Sequence, residues 1–215
     1  MSIIVNPTHI DIYFRIAAFC LIILNITIKL MTIGLSPLDY KAKQKDAKDS
    51  ASRMLTMNIL NYFSMVLFAL YVIFPTAISW ANITLNPILR IAGGAVYMIC
   101  VIVLYFLYKS LGNNWSHLMI TRNEQVLIKN GFYSSVRHPI YTNSIIASIS
   151  ISLLTSNLLI FIVSLTLSIF VASRSWQEED MLIERFGDEY REYMKRTGMF
   201  FPRIQAIWSG GRTEF

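Results

Sequence analysis

Three predominantly apolar runs, residues 10–33, 57–80 and 88–108, each reach the roughly 20 helical residues needed to cross the hydrocarbon core of a bilayer. A fourth, residues 140–172, is too long for one span and short for two. Thr155, Ser156 and Asn157 interrupt it near its middle, which predicts a helical hairpin of two short or tilted helices. Composition agrees: 15% of the 215 residues are charged and 54% are apolar or aromatic, where a soluble domain carries about 25% charged residues. The expectation is an all-α integral membrane protein of about five transmembrane helices, the last two forming the hairpin. Residues 1–9 carry no Lys or Arg and no small-residue cleavage pattern follows, so the first run reads as a retained span.

Charge between the runs predicts orientation, because cytoplasmic loops collect Lys and Arg. Lys41, Lys43, Lys45, Lys48 and Arg53 follow the first run, and Lys109, Arg122, Lys129 and Arg137 follow the third. Residues 81–87 and 155–157 hold no charge. The N-terminus is therefore expected outside and the C-terminus in the cytoplasm. The net charge of +6 is a property of these loops. Their basic cluster lacks interleaved aromatic residues, which points to an anionic leaflet and away from nucleic acid. Cys20 and Cys100 both lie within apolar runs, which excludes a disulfide framework and a four-thiolate zinc site. Asn82-Ile83-Thr84 fits a glycosylation acceptor, a triplet common by chance and given no weight. With three histidines and no helical His-x-x-x-His pair, no metal site is expected, and His9 and His117 read as surface or interfacial residues. No residue pattern speaks to oligomeric state.

Polar residues concentrate after Leu111. Asn113, Asn114, Trp115, Ser116 and His117 lead to Gly131-Phe132-Tyr133 and then Arg137-His138-Pro139-Ile140-Tyr141. Proline disfavours a helical predecessor and suits a first turn, so a helix is expected to begin at Pro139. Arg137 and His138 then stand just ahead of a helix N-terminus, a favourable place for an anion, and Arg137 adds a bidentate donor. Beyond the hairpin, Gln177-Glu178-Glu179-Asp180 opens an amphipathic stretch to Arg196, bent at Gly187, with Leu182, Ile183, Phe186, Tyr190, Tyr193 and Met194 at helical intervals. It is expected to lie as a C-terminal amphipathic helix on the cytosolic face. A hairpin would bring the two clusters to one membrane face. Each feature also has a plainer reading: Arg137 snorkelling, Tyr141 in an aromatic belt, Asp180 a helix cap.

The ordered set Gly131-x-Tyr133, Arg137-His138-Pro139-x-Tyr141, Glu178-Glu179-x-x-Leu182, Phe186-Gly187-x-Glu189-Tyr190-x-x-Tyr193 and Pro202 resembles the isoprenylcysteine carboxyl methyltransferase family, within a wider group that includes phospholipid methyltransferases. The resemblance covers about the C-terminal half. It implies a division into an N-terminal transmembrane region, residues 1–110, and a methyltransferase core, residues 111–215. It implies an enzyme that takes its methyl group from S-adenosyl-L-methionine at the cytosolic face and receives a lipophilic small-molecule or lipidated acceptor from the bilayer. Carried over by position, the cofactor residues are Tyr133, Arg137, His138, Pro139, Tyr141, Glu178 and Glu179, with Leu182, Tyr190 and Tyr193 further pocket residues. Asn143 stands where many members carry glycine, and the additional N-terminal spans of longer members are missing.

The chemistry of these residue types suits such a cofactor: Arg137 for its carboxylate, Glu178 or Glu179 for its ammonium or ribose, and tyrosine rings for adenine and sulfonium. Arg137, His138 and Glu178 are the catalytic candidates. His138 or a glutamate would serve as base for an amine or thiol acceptor, whereas a carboxylate needs none and would be oriented by an arginine. The alternatives are a phospholipid, small-thiol or amine methyltransferase, an NADPH-dependent membrane reductase, and a non-enzymatic transporter or scaffold. A transporter would show internal repeats and broken midplane helices, and the sequence has no repeat.

Overall fold

A computed structural model describes residues 9–33, 47–111 and 126–203. Lys41, Lys43, Lys45, Arg122 and residues 113–117 lie outside the described residues. The chain forms seven α-helices among them: α1 (His9–Ile33), α2 (Ala47–Ile73), α3 (Pro87–Leu111), α4 (Pro139–Thr155), α5 (Leu158–Ala172), α6 (Ser175–Phe186) and α7 (Asp188–Arg196). Isolated bridges occur, but no strand is present among the described residues. α1 and α3 follow the apolar runs closely. By length and composition three helical stretches are sufficient to cross a membrane: residues 11–31, 87–111 and 158–186.

The second run departs from a straight span over residues 57–80. α2 ends at Ile73, and a 3-10 helix over Pro75–Ala81 turns away by 107°. Pro75 is the cause, since its ring clashes with the preceding turn and it has no N–H for the helical ladder. This bent pair raises the number of candidate spans to four if counted as one; α4, at 17 residues, is shorter than the other candidates.

The hairpin is present and its turn is built by the interrupting residues. Ser156 takes a left-handed conformation, φ 54°, to end α4. Asn157 caps α5 by accepting from the Ile160 amide at 3.1 Å. Its side-chain nitrogen donates to the Ile78 carbonyl and to Asn82 Oδ1, tying the turn to the segment after α2. Serines line the seam between the two helices: the Ser148 and Ser168 hydroxyls lie 2.6 Å apart, and those of Ser144 and Ser168 3.1 Å apart. In hydrocarbon such hydroxyls bond across helices or to their own backbone, and here they do both.

The core gathers Phe14, Ala18 and Leu21 of α1, Leu67 and Tyr71 of α2, Tyr97 and Val101 of α3, and Ile151 and Leu154 of α4. Arg90 is buried at the end of this core remote from residues 137–141. Its guanidinium lies 3.9 Å over the Phe14 ring, donates to the Leu154 carbonyl and pairs with Asp11 at 2.5 Å. A charge at such depth persists only when paired and hydrogen-bonded.

Candidate active site

Pro139 is the first residue of α4, and its fixed φ and missing N–H fit that position. The residues before it therefore leave the helix axis and meet α6 and the segment that follows α7. Arg137 Nε donates to Glu179 Oε1 at 2.7 Å, and Arg137 Nη1 donates to the carbonyls of Met194 and Thr197, the latter at 2.5 Å. His138 stands between both glutamates: Nε2 is 3.2 Å from Glu179 Oε1 and Nδ1 is 3.5 Å from Glu178 Oε2. The Tyr141 hydroxyl donates to Glu178, and its ring stacks on His138 with centroids 5.6 Å apart. Arg137, His138, Tyr141, Glu178 and Glu179 are thus one hydrogen-bonded network, although about 40 residues of hairpin separate its halves.

The two glutamates differ in setting. Glu179 is buried and bonded to Arg137 and His138, whereas the Glu178 side chain keeps 30% of its surface exposed. The anion that faces Arg137 is therefore the chain's own Glu179. Burial lowers the His138 pKa, but the hydrogen bonds and charges of Glu178 and Glu179 outweigh it, so the pKa stands above its usual value. His138 accordingly favours its charged form.

The tyrosines of α7 close one side. Tyr190 is 1% exposed, with its ring 5.8 Å from that of Tyr193. The Tyr193 hydroxyl donates to the Tyr133 carbonyl. Tyr133 is 7% exposed, and its own hydroxyl is a buried side-chain polar atom without a hydrogen-bond partner among the described residues. Burial first, then Tyr193 and Glu178, push its pKa up, so it remains a protonated donor. A buried donor left without an acceptor costs about 1–3 kcal/mol, which makes it a natural contact for a bound molecule. Leu182 lies half-buried on α6, one turn beyond Glu178.

Residues after α7 complete the cluster and were not among the sequence candidates. The Arg137 and His138 amides donate to the carbonyls of Gly198 and Met199 at 2.8 and 3.0 Å, and Thr142 Oγ1 donates to the Phe200 carbonyl at 2.7 Å. The signal available was Gly198 just past a helical pattern with Pro202 beyond it, a helix-stop signature. Pro202 itself is exposed. A groove of about 800 Å³ opens beside this cluster between α3, residues 131–136 and α4. No group of three or more His, Cys, Asp or Glu able to hold a metal ion exists among the described residues.

Fold and site together define a helical membrane protein with a buried ionic and aromatic cluster at one end of a helical hairpin. The fold is similar to that of a solved structure, the eukaryotic intramembrane Ras methyltransferase ICMT without a monobody: TM-score 0.60, 21% sequence identity, 94% of this chain and 70% of that one. Residues 93–184 match the model of the isoprenylcysteine carboxyl methyltransferase (ICMT) family, and the resemblance to that family holds over this segment. Among named relatives, the protein-S-isoprenylcysteine O-methyltransferase of Saccharomyces cerevisiae is 38% identical over 96 residues, 43% of this chain and 40% of that protein. The human protein of that name is 33% identical over 101 residues, 45% and 35% of the two chains. Methanethiol S-methyltransferase 1 of Bradyrhizobium diazoefficiens is 43% identical over 75 residues, 35% and 26%. The chain spans less than half the length of these relatives.

Proposed function

We propose that this protein is an integral membrane methyltransferase that uses S-adenosyl-L-methionine and methylates a lipophilic acceptor. The observation that carries the reading is the convergence of Arg137, His138 and Tyr141 with Glu178 and Glu179 in one network, with the unpartnered Tyr133 hydroxyl near enough to feel the Glu178 charge. The match of residues 93–184 to a methyltransferase family supports it. The residues present fit the cofactor: a half-open carboxylate at Glu178 for an ammonium or ribose hydroxyls, a free donor at Tyr133, and aromatic rings at Tyr190 and Tyr193. Pro139 sets where α4 begins, and Leu182 supports the same face of α6 as Glu178.

S-adenosylmethionine, when bound, supplies an electrophilic methyl carried on a sulfonium. Around it, Glu179 holds Arg137 and His138 in place, and Arg137 ties α6 to the last turn of α7. Both ring nitrogens of His138 face carboxylate oxygens, Nδ1 that of Glu178 and Nε2 that of Glu179, which leaves neither turned to an incoming acceptor. Glu178 is the open carboxylate that could take a proton from a thiol or amine. An acceptor that arrives deprotonated, such as a carboxylate, needs neither group. The groove beside the cluster gives a lipophilic acceptor a route from the bilayer.

We further place α4 and α5 as fourth and fifth membrane passes, with the N-terminus outside and both the site and the C-terminus cytoplasmic. The uncharged connections after α2 and after α4 support this, because they meet at one end, where the Ile83 amide donates to the Ser156 carbonyl. Calorimetric titration of purified protein with S-adenosylmethionine and its demethylated product tests the assignment. Binding is expected for both, and Glu178→Ala should weaken it about 10- to 100-fold, the worth of one or two charge-assisted hydrogen bonds. Heat on addition of NADPH and none with either sulfur compound would move the assignment to a reductase.

A further inference from the structure

α4 and α5 are short for membrane passes. Their 17 and 15 residues rise about 25 and 22 Å, against roughly 30 Å of hydrocarbon. Such a shortfall thins the bilayer unless apolar residues beyond the helix ends extend the hydrophobic belt. At the hairpin tip residues 78–83 cover Ser156 and Asn157, which are buried and bonded to Ile83 and Ile78. At the other end the cover comes from the first turn of α6 and the segment after α7.

That segment runs toward the membrane beside the start of α4. The Gly198 carbonyl accepts from the Arg137 amide, that of Met199 from the His138 amide, and that of Phe200 from Thr142 Oγ1, so each step along the strap lies further down α4. A parallel bridge between Val136 and Gly198 has the same sense. Phe200 therefore stands level with the first turn of α4, its ring 6.2 Å from that of His138 and edge-on to Trp176 at 6.4 Å. The chain then turns back tightly. The Phe201 carbonyl fills the space a Cβ on Gly198 would need, and Arg203 Nη1 donates to the Lys195 carbonyl near the end of α7.

This turn is apolar and uncovered. Phe201 is 74% exposed, Trp176 is 59% exposed, and Pro202 is exposed as well. One exposed apolar residue needs no explanation, but three around one turn do. From Leu158 to Trp176 the helical rise is about 27 Å, which brings Trp176 to the hydrocarbon boundary. Trp176 also shares a recess with Phe170 of α5, so the patch continues the membrane-facing surface of the hairpin. Exposed Arg196 and Arg203 stand beside it. Aromatic rings with adjacent cations suit the headgroup level of an anionic leaflet.

We propose that Trp176 and residues 199–202 form an interfacial anchor seated in the bilayer leaflet on the side of the candidate active site, so that lipid holds the strap against Arg137 and His138. This rests on the placement of α4 and α5 as membrane passes. The test uses full-length protein in nanodiscs of phosphatidylcholine and phosphatidylglycerol. A nitroxide is attached to Phe201→Cys, Ile162→Cys or Arg191→Cys in a Cys20→Ser background, Cys100 being buried. Its collisions with oxygen, which concentrates in hydrocarbon, are compared with those of a nickel chelate, which stays in water. The oxygen-to-nickel ratio at position 201 should stand several-fold above that at 191, on exposed α7, and below that at 162, on the exposed face of α5. Should Phe201→Cys fail to accumulate, Trp176→Cys must give the same reading. A ratio at 201 or 176 no higher than at 191, with 162 high, would overturn the anchor. A low ratio at 162 would overturn the membrane placement of α5 instead. The Arg137 and His138 amides, which donate to the strap, report its hold on the site. In Phe201→Asp, whose charge is expelled from the leaflet, their hydrogen exchange in nanodiscs should quicken several-fold. Exchange as slow as in the unaltered protein would overturn the coupling between anchor and site.

Discussion

Arg137 illustrates how one side chain can serve a site without facing its ligand. Its Nε and Nη1 donors are engaged by Glu179 and by two carbonyls at the end of α7, so it joins three segments around His138. His138 in turn carries the electrostatic signature of the cluster. Its pKa is raised, so its charged form contributes stability that is fully present below the ordinary value of 6.5 and is lost as pH rises through the higher folded value. Glu178→Gln removes one of the two carboxylates responsible. Its expected result is a downward shift of the His138 midpoint, read from the imidazole resonance in an NMR titration, with a smaller loss of stability as pH rises above 6.5. A midpoint that does not move would mean that Glu178 does not sense His138. These residue types and their order are visible in the sequence, and so is the prospect that they meet. Their division of labour is not, because adjacent glutamates on a helix point in different directions, and only the position of α6 decides which faces Arg137.

Among the elements, α3 and α4 form the most informative pair, because the site is built at the far end of their contact. Gly93 and Gly94 look alike in the sequence, yet their surroundings differ. A methyl group at Gly93 would press on the backbone of α4, whereas at Gly94 it would meet the flexible end of Leu154 at 3.2 Å. Gly93→Ala is therefore expected to destabilise the protein by about 1–3 kcal/mol through overpacking, and Gly94→Ala by much less. Melting temperatures of the two variants in the same detergent check this contrast. Equal melting temperatures would contradict the tight backbone approach. Sequence periodicity and length located α1 and α3, and Pro139 marked the start of α4. The bend after α2 was not expected from the second apolar run, although Pro75 inside it was the available signal; hydrophobicity conceals it, because a proline in such a run lowers the average very little.

For the whole molecule, the proposed orientation places α7 and the segment after it in the cytoplasm. A tag after Phe215 should be protected from external protease in intact cells, and a cysteine introduced at Thr84 in a Cys20→Ser background should react with an impermeant reagent added outside. The reverse pattern would invert the assignment. The sequence by itself determined the membrane class, the hairpin and the two polar segments, since apolar length, turn residues and proline act locally and leave their mark on short stretches. Only the tertiary structure decided that Glu179 neutralises Arg137, that Glu178 stays open, that Tyr133 is left without an acceptor, and that residues 198–200 strap the cluster. The physical reason is distance along the chain: each of these contacts joins residues about 40 to 60 positions apart, and their pairing depends on how the helices cross, a quantity that no local pattern encodes.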